Sequence, residues 1–310
     1  MTTSLHGTKQ DFKEGRIGKP EYIERMHELH RRLFEYAEFI KDTDIAGISV
    51  TDGAITMTTR AGGIKLACDF EDKRFIPVEI LNFGSYESEE TGIILSLVDD
   101  GATVLDIGCN IGWYSMNIAL SKKDVNILSF EPIPRTFEYL KKNLAMNGIT
   151  CVRPFNNGFS DREQELTFYY YRGGSGNASM ADLSGDPGVE KITCPVTTLD
   201  SFAHAHEVSP RFIKCDVEGA ELMVFKGGLK TIEKSKPVIF AELLRKWSAK
   251  FDYHPNEVIT LLCGLGYRCF TVKDGGLAAF DKMDEDTSDT NFFFLHPDVH
   301  AEKIARLERH

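Results

Sequence analysis

The sequence predicts an α/β fold with a doubly wound, mostly parallel sheet, and three observations carry that prediction. Thr103–Leu120 reads TVLDIGCNIGWYSMNIAL: a short buried strand, a glycine turn and a helix, the first unit of such a sheet. The strand–helix alternation then repeats along most of the remaining chain. Four strands end on a carboxylate, Asp106, Glu131, Asp216 and Glu242, and in sheets of this kind ligands bind beyond the carboxyl ends of the strands. One such acid is an ordinary helix cap; four on one edge are hard to obtain by capping alone.

Taken in order, residues 1–19 are polar and expected to be loose. Pro20 opens a helix that runs to Lys41, with Ile23, Met26, Leu33, Phe34, Ala37 and Ile40 at helical spacing. His27, His30, Arg31 and Arg32 read as its solvated face. Three short alternating runs follow, Gly47–Val50, Ala54–Thr59 and Ile64–Phe70. Asp52-Gly53 and Ala61-Gly62-Gly63 are their turns, so this is a small antiparallel unit. Gly84-Ser85-Tyr86-Glu87 then enters a helix over Glu89–Leu97.

After the central unit, Asn126–Glu131 is a strand and Thr136–Asn147 its helix, stopped by Gly148. Cys151–Phe155 is a third strand. Here the rhythm breaks: Glu165–Tyr171 and Ile192–Val196 are extended, and Arg172–Lys191 between them is rich in Gly, Ser, Asn and Asp. So long a polar excursion is expected to be a mobile lid over the acceptor. Thr198 starts a helix, and Arg211–Asp216 is a strand ending in Lys214-Cys215-Asp216-Val217-Glu218-Gly219. Ala220–Lys226 is helical and Gly227-Gly228 interrupts it. Pro237–Glu242, Tyr267–Val272 and Asn291–Leu295 are strands, Pro255–Cys263 is a helix, and residues 297–310 form a charged helical tail. The division expected is 1–83 accessory, 84–296 main domain and 297–310 tail.

The glycine turn narrows the ligand. A dinucleotide fingerprint from Gly108 needs glycine at 110 and 113, where the chain has Asn110 and Trp113. The pattern present, Asp106-x-Gly108-x-Asn110-x-Gly112, suits a ligand with no phosphate: the methionine end of S-adenosylmethionine, with Asp106 acting on its ammonium group directly or through water. Glu131 stands 19 residues past Gly112, where a carboxylate takes two ribose hydroxyls.

These motifs resemble the FkbM family of S-adenosylmethionine-dependent methyltransferases. The resemblance runs from about Gly84 to His296. It rests on VLDIGCNIGWYS (104–115), FEPIP (130–134), NNGFSD (156–161), VTTLDSF (196–202), FIKCDVEGAE (212–221), the Gly227-Gly228 break and Glu242. Cys109 and Cys215 stand where the family commonly has Ala and Ile. The resemblance implies a Rossmann-like class I methyltransferase fold with a seven-stranded sheet. It also implies methyl transfer, usually to an oxygen, on sugars, glycans or natural products. By position, Asp106, Gly108, Asn110 and Gly112 would hold the methionine part and Glu131 the ribose. Ser160 would lie near the adenine, Asn157 would also bind the cofactor, and Tyr86 and Glu87 would close over the methionine end.

A hydroxyl acceptor needs a base within hydrogen-bond reach. Asp216, Glu218 and Glu242 are the expected catalytic carboxylates, with His254 a weaker candidate. Glu218 is expected at a helix start, kept ionised by the dipole. Metal-free chemistry is the preferred expectation, because Leu243 and Leu244, not a second acid, follow Glu242. Mg²⁺ held by Asp216 and Glu242 is the alternative. N-methylation, or a non-catalytic S-adenosylmethionine-binding protein, are the competing functions.

Composition closes other classes. The 310 residues carry 36 basic and 47 acidic side chains, a net charge of −11, which argues against nucleic-acid binding and polybasic membrane attachment. No apolar run approaches the roughly 20 residues of a membrane span. The polar N-terminus does not read as a signal peptide. Seven cysteines without a C-x-x-C pair point to a reducing cytoplasm rather than to zinc or disulfides. The oligomeric state is open, a homodimer included.

Overall fold

A computed structural model describes residues 4–182 and 188–309. Helix α1 (Leu5–Lys13) lies in the stretch expected to be loose. Ser4 nucleates it by accepting the Gly7 amide at 3.0 Å, an N-cap that sequence reading passed over. Helix α2 (Lys19–Phe39) starts at the proline as expected, yet none of its residues is buried. Strands β1 (Ile45–Thr51), β2 (Ala54–Thr59) and β3 (Lys65–Ala67) form an antiparallel sheet. Helices α3 (Ile76–Phe83) and α4 (Ser88–Leu97) follow.

The main domain then lays down β4 (Thr103–Ile107), α5 (Trp113–Ser121), β5 (Asn126–Phe130), α6 (Pro134–Met146) and β6 (Val152–Phe155). Next come β7 (Gly158–Phe159), β8 (Gln164–Tyr170), β9 (Glu190–Thr197), α7 (Leu199–Ala205) and β10 (Phe212–Cys215). The remainder is α8 (Glu221–Lys226), α9 (Leu229–Ser235), β11 (Val238–Glu242), α10 (Arg245–Ser248), α11 (Asn256–Gly264), β12 (Arg268–Lys273), β13 (Gly276–Phe280), β14 (Asn291–Leu295) and α12 (Pro297–Leu307).

The central sheet has the order β13-β12-β14-β11-β10-β4-β5-β6. It is parallel from β11 to β6; β14 pairs antiparallel with β11, β12 antiparallel with β14, and β13 antiparallel with β12. The expected seven strands are there; β13, pairing with β12 as a hairpin, adds an eighth at the edge. Chain direction through the sheet reverses between β4 and β10, and a crevice opens at such a switch point. Beyond β6 the chain leaves this sheet. β7, β9 and β8 form a separate three-stranded sheet, which is why the strand–helix rhythm breaks there.

One apolar cluster runs through Ile45, Met57 and Leu66 into Ile93, Val104 and Phe240, so the antiparallel unit shares its core with the main domain. A second link between them is polar. Asn143 on α6 accepts the Ala67 amide at 2.9 Å and donates to the Ile111 carbonyl at 3.0 Å, tying β3, α6 and the glycine turn together. No helix among the described residues is long and apolar enough to cross a membrane.

Candidate active site

Gly108 must lack a side chain. It sits at φ +70°, and a Cβ there would lie 1.7 Å from the Asp216 carbonyl oxygen. The turn after β4 is therefore pressed against the end of β10. The amides of Gly108 and Cys109 both donate to the Phe130 carbonyl at 3.0 Å, which binds the same turn to β5. Three adjacent strands thus bring their ends to one point.

Lys214 lies beneath that point, only 4% exposed. Its Nζ donates to the Gly108 carbonyl at 2.6 Å and stands 3.2 Å from Asp216 and 3.7 Å from Asp106. Burial works to lower the pKa of this ammonium, but Asp216 and Asp106 outweigh it and hold the charge. Burial raises Asp106, opposed by Lys214 and by Ser115, whose hydroxyl donates to Oδ2.

Glu131 reaches back to the turn. Its Oε2 accepts the Asn110 amide at 3.1 Å and its Oε1 the Ile133 amide at 2.9 Å. Asn110 takes a left-handed φ of 49°, which aims its amide at Glu131. Burial nevertheless raises Glu131 to about 7 despite these two donors. Glu87 is likewise raised to about 7 by burial, with the Tyr114 hydroxyl donating to it.

The β10 turn carries the other acids. Glu221, 1% exposed, accepts the Val217 amide at 3.0 Å and the Gly219 amide at 3.1 Å through one oxygen. Tyr253 donates to the Gly219 carbonyl at 2.8 Å and to Glu221 at 3.2 Å. Glu218 (φ 54°) and Gly219 (φ 101°) turn the chain back on itself. Carboxylate oxygens of Asp216, Glu218 and Glu242 consequently lie within 4.8 Å of one another. Glu218 is not at a helix start: α8 begins three residues later, at Glu221. In place of the ionisation expected from a helix dipole, burial and then Asp216 push its pKa well above the ordinary value. Burial and then the same neighbour push Glu242 up.

These groups line a cavity of about 460 Å³. Of the residues expected at the cofactor, Tyr86, Glu87, Gly108, Asn110 and Glu131 face it, as do Asp216, Glu218 and Glu242. Asp106, Gly112, Asn157 and Ser160 do not. Asp106 is closed off behind Lys214 and Ser115. Gly112 serves packing, since a Cβ there would be 2.6 Å from Leu140 of α6. Asn157 turns its amide onto the neighbouring Gly158 carbonyl at 3.2 Å. Ser160, 1% exposed, is covered by the Gly227 backbone. His254 is spent on its own loop, its Nδ1 accepting the Asn256 amide at 3.2 Å.

The far wall comes from residues that sequence reading assigned to a mobile lid. Ala178 and Met180 line the cavity. Ser179 is fully buried, exchanges backbone hydrogen bonds with Tyr169, and donates its hydroxyl to the Glu218 carbonyl at 2.8 Å. This arm is pinned by the small β7-β9-β8 sheet and its apolar contacts. Residues 183–187 of the expected lid lie outside the described residues. Lys214, which the sequence left between a solvent-facing strand residue and a partner behind the site, is the latter. Glu221 and Ser179 are the contributors that sequence reading missed; for Glu221 the signal was present, in the IKCDVEGAE run.

The methyltransferase FkbM domain model matches residues 106–269, more than half of the chain. The chain belongs to the FkbM methyltransferase family. Family membership makes this a methyltransferase domain, with S-adenosylmethionine as methyl donor. Among curated relatives, the 2-O-methyltransferase NoeI of Sinorhizobium fredii is 30% identical over 46% of this chain and 64% of its own length. The hexuronic acid methyltransferase AglP of Haloferax volcanii is 25% identical over 49% of this chain and 61% of its own. The AMB antimetabolite synthetase AmbE of Pseudomonas aeruginosa is 41% identical, but over only 28% of this chain and 4% of that protein. The chain thus spans under two thirds of each of these relatives. A solved FkbM methyltransferase from Methylobacillus flagellatus aligns with 74% of this chain and 56% of that one, at 17% identity and a TM-score of 0.43.

Proposed function

We propose that this FkbM-family protein methylates a hydroxyl on a sugar, glycan or small natural product. The observation that carries the reading is the meeting of Asp216, Glu218 and Glu242 at one end of the cavity. The turn of Gly108 and Asn110 follows β4, directly beside β10, and the carboxylate of Glu131 stands at the end of β5, two strand spacings or about 10 Å from β10. That separation suits a cofactor laid across the strand ends with its reactive end toward β10. Glu131 and the Asn110 turn would hold its ribose and methionine parts, and the buried, unpaired Asn110 Oδ1 is an acceptor with room for a donor from the ligand. Tyr86 and Glu87 would close over the methionine end.

When bound, S-adenosylmethionine supplies an electrophilic methyl group. The chain's own task is to orient the acceptor and take its proton. Asp216 is the less suited to that, being neutralised by Lys214 at 3.2 Å. Glu218 and Glu242, raised by burial and by the neighbouring Asp216, are the stronger bases once ionised. The names of NoeI and AglP support oxygen and a sugar acid as acceptor chemistry. The test is transfer of labelled methyl from S-adenosylmethionine to a panel of sugar alcohols and amines, with the product linkage read by NMR. A methyl ether is expected; methyl on nitrogen in every product would overturn the reading.

A further inference from the structure

We infer that Asp216, Glu218 and Glu242 form a binding site for a hard divalent cation of the Mg²⁺ or Mn²⁺ type. Sequence reading counted against a metal because no second acid neighbours Glu242. The fold supplies one from another strand, since the Glu218–Gly219 turn returns Glu218 toward Asp216 and β11. Ligand oxygens of Mg²⁺ sit at about 2.1 Å, so they stand roughly 3 to 4 Å apart. A mutual spacing within 4.8 Å lets all three carboxylates reach one ion after small side-chain rotations. The donor set is all oxygen, which selects Mg²⁺ or Mn²⁺ over zinc or copper.

Charge gives the second argument. Lys214 bridges Asp216, and among the described residues no ion pair reaches Glu218 or Glu242. Arg74 also lines the cavity, but it is engaged by Glu79 at 2.6 Å. The Oε2 of Glu218 is sealed from solvent and has no hydrogen-bond partner. A buried carboxylate oxygen left so is costly unless paired or coordinating. The Ser179 hydroxyl is taken by the Glu218 carbonyl and the Gly219 amide by Glu221, so neither neighbour satisfies this oxygen. A cation here would also meet an acceptor hydroxyl and lower its pKa.

The role in methyl transfer rests on the proposed function; the binding site does not. Mn²⁺ is titrated into chelator-stripped protein without acceptor, and free Mn²⁺ is read by electron paramagnetic resonance. One saturable site is expected. Glu218→Gln and Glu242→Gln should each weaken it by about tenfold or more, with S-adenosylmethionine affinity held within about threefold. No saturable binding in the wild type, or wild-type binding in both variants, overturns the inference. If Mn²⁺ binds through these acids yet only amines are methylated, the functional reading fails and the site stands. If hydroxyls are methylated at full rate in chelator and no Mn²⁺ binds, the reverse holds.

Discussion

At the carboxyl edge of the sheet, Asp106, Asn110 and Glu218 each bury a side-chain oxygen with no hydrogen-bond partner, while along α2 Ile23, Leu33 and Phe34 keep 55%, 64% and 70% of their surface in water. Both regions leave groups without their natural surroundings, in opposite senses. The unpaired oxygens each cost about 1–3 kcal/mol, and the fold surrounds them with structure that keeps the cost in place. Glu221 clamps one turn, Lys214 the other, and Gly108 lets the two touch. The exposed apolar side chains of α2 cost the folded state almost nothing; they only forgo burial. Volume does not tell the regions apart: an open surface groove beside Arg31, Phe34 and Phe39 measures about 780 Å³, more than the site. Convergent, desolvated polar groups do.

The largest expected effect breaks the edge outright. Gly108→Ala sets a Cβ 1.7 Å from a backbone oxygen at a left-handed φ, where nothing nearby can yield. A loss of more than about 4 kcal/mol in unfolding free energy is expected, or failure to fold. Gly92→Ala is the control. It lies within α4 with no atom within 4 Å of its Cβ, and should be neutral or gain up to about 1 kcal/mol.

Glu131→Gln removes a charge-assisted acceptor from the cavity and should weaken S-adenosylmethionine by about 10- to 100-fold in calorimetry. Asp106→Asn should instead lower thermal stability, by about 1–3 kcal/mol, because it faces Lys214 and not the cavity. An affinity loss with unchanged stability in Asp106→Asn would restore the role at the ligand, direct or through water, that the sequence suggested.

A subtler readout is protons. Glu87 and Glu131 rise from 4.5 to about 7 in the free protein because they are buried. The folded chain therefore binds more protons than the unfolded chain between those values. That contribution is full below pH 4.5 and is lost as pH climbs through 7. A cationic, hydroxyl-bearing ligand favours ionised Glu131. Binding near pH 6.5 should thus release protons, seen as a calorimetric enthalpy that depends on buffer ionisation heat. Glu131→Gln should reduce that dependence; if it does not, Glu131 does not meet the ligand.

The same contrast explains what could be read from sequence. Strand ends and the glycine turn were legible because each is local: Asp106, Gly108 and Glu131 sit at fixed distances along the chain. The meeting of Glu218 with Glu242 was not, because it depends on φ at two residues and on β10 pairing with β11. Asp106 was expected at the ligand from its place at the strand end before the glycine turn; that position does not say what lies over the side chain, and here Lys214 lies over it. The wall at Ser179 was hidden by composition, since a Gly/Ser-rich stretch looks mobile until its β-bridge to Tyr169 is known.

The smallest effect tests α2. Its apolar residues repeat at helical spacing, and on pattern alone they belong against a core. In the structure α1 meets only one flank, through the Phe12–Tyr22 stack at 4.4 Å and an Arg25–Asp11 ion pair at 3.8 Å. Leu33 and Phe34 lie beyond that contact. Replacing both with serine removes little buried surface, so unfolding free energy should move by no more than about 0.5 kcal/mol. S-adenosylmethionine affinity should not change, since neither residue borders the cavity. A fall of more than about 2 kcal/mol would mean that these side chains are covered in solution, because only a buried pair of that size carries so much. Repeating the melt over a hundredfold range of protein concentration then identifies the cover. A midpoint that rises with concentration in the wild type and not in the variant assigns it to a second copy of the chain.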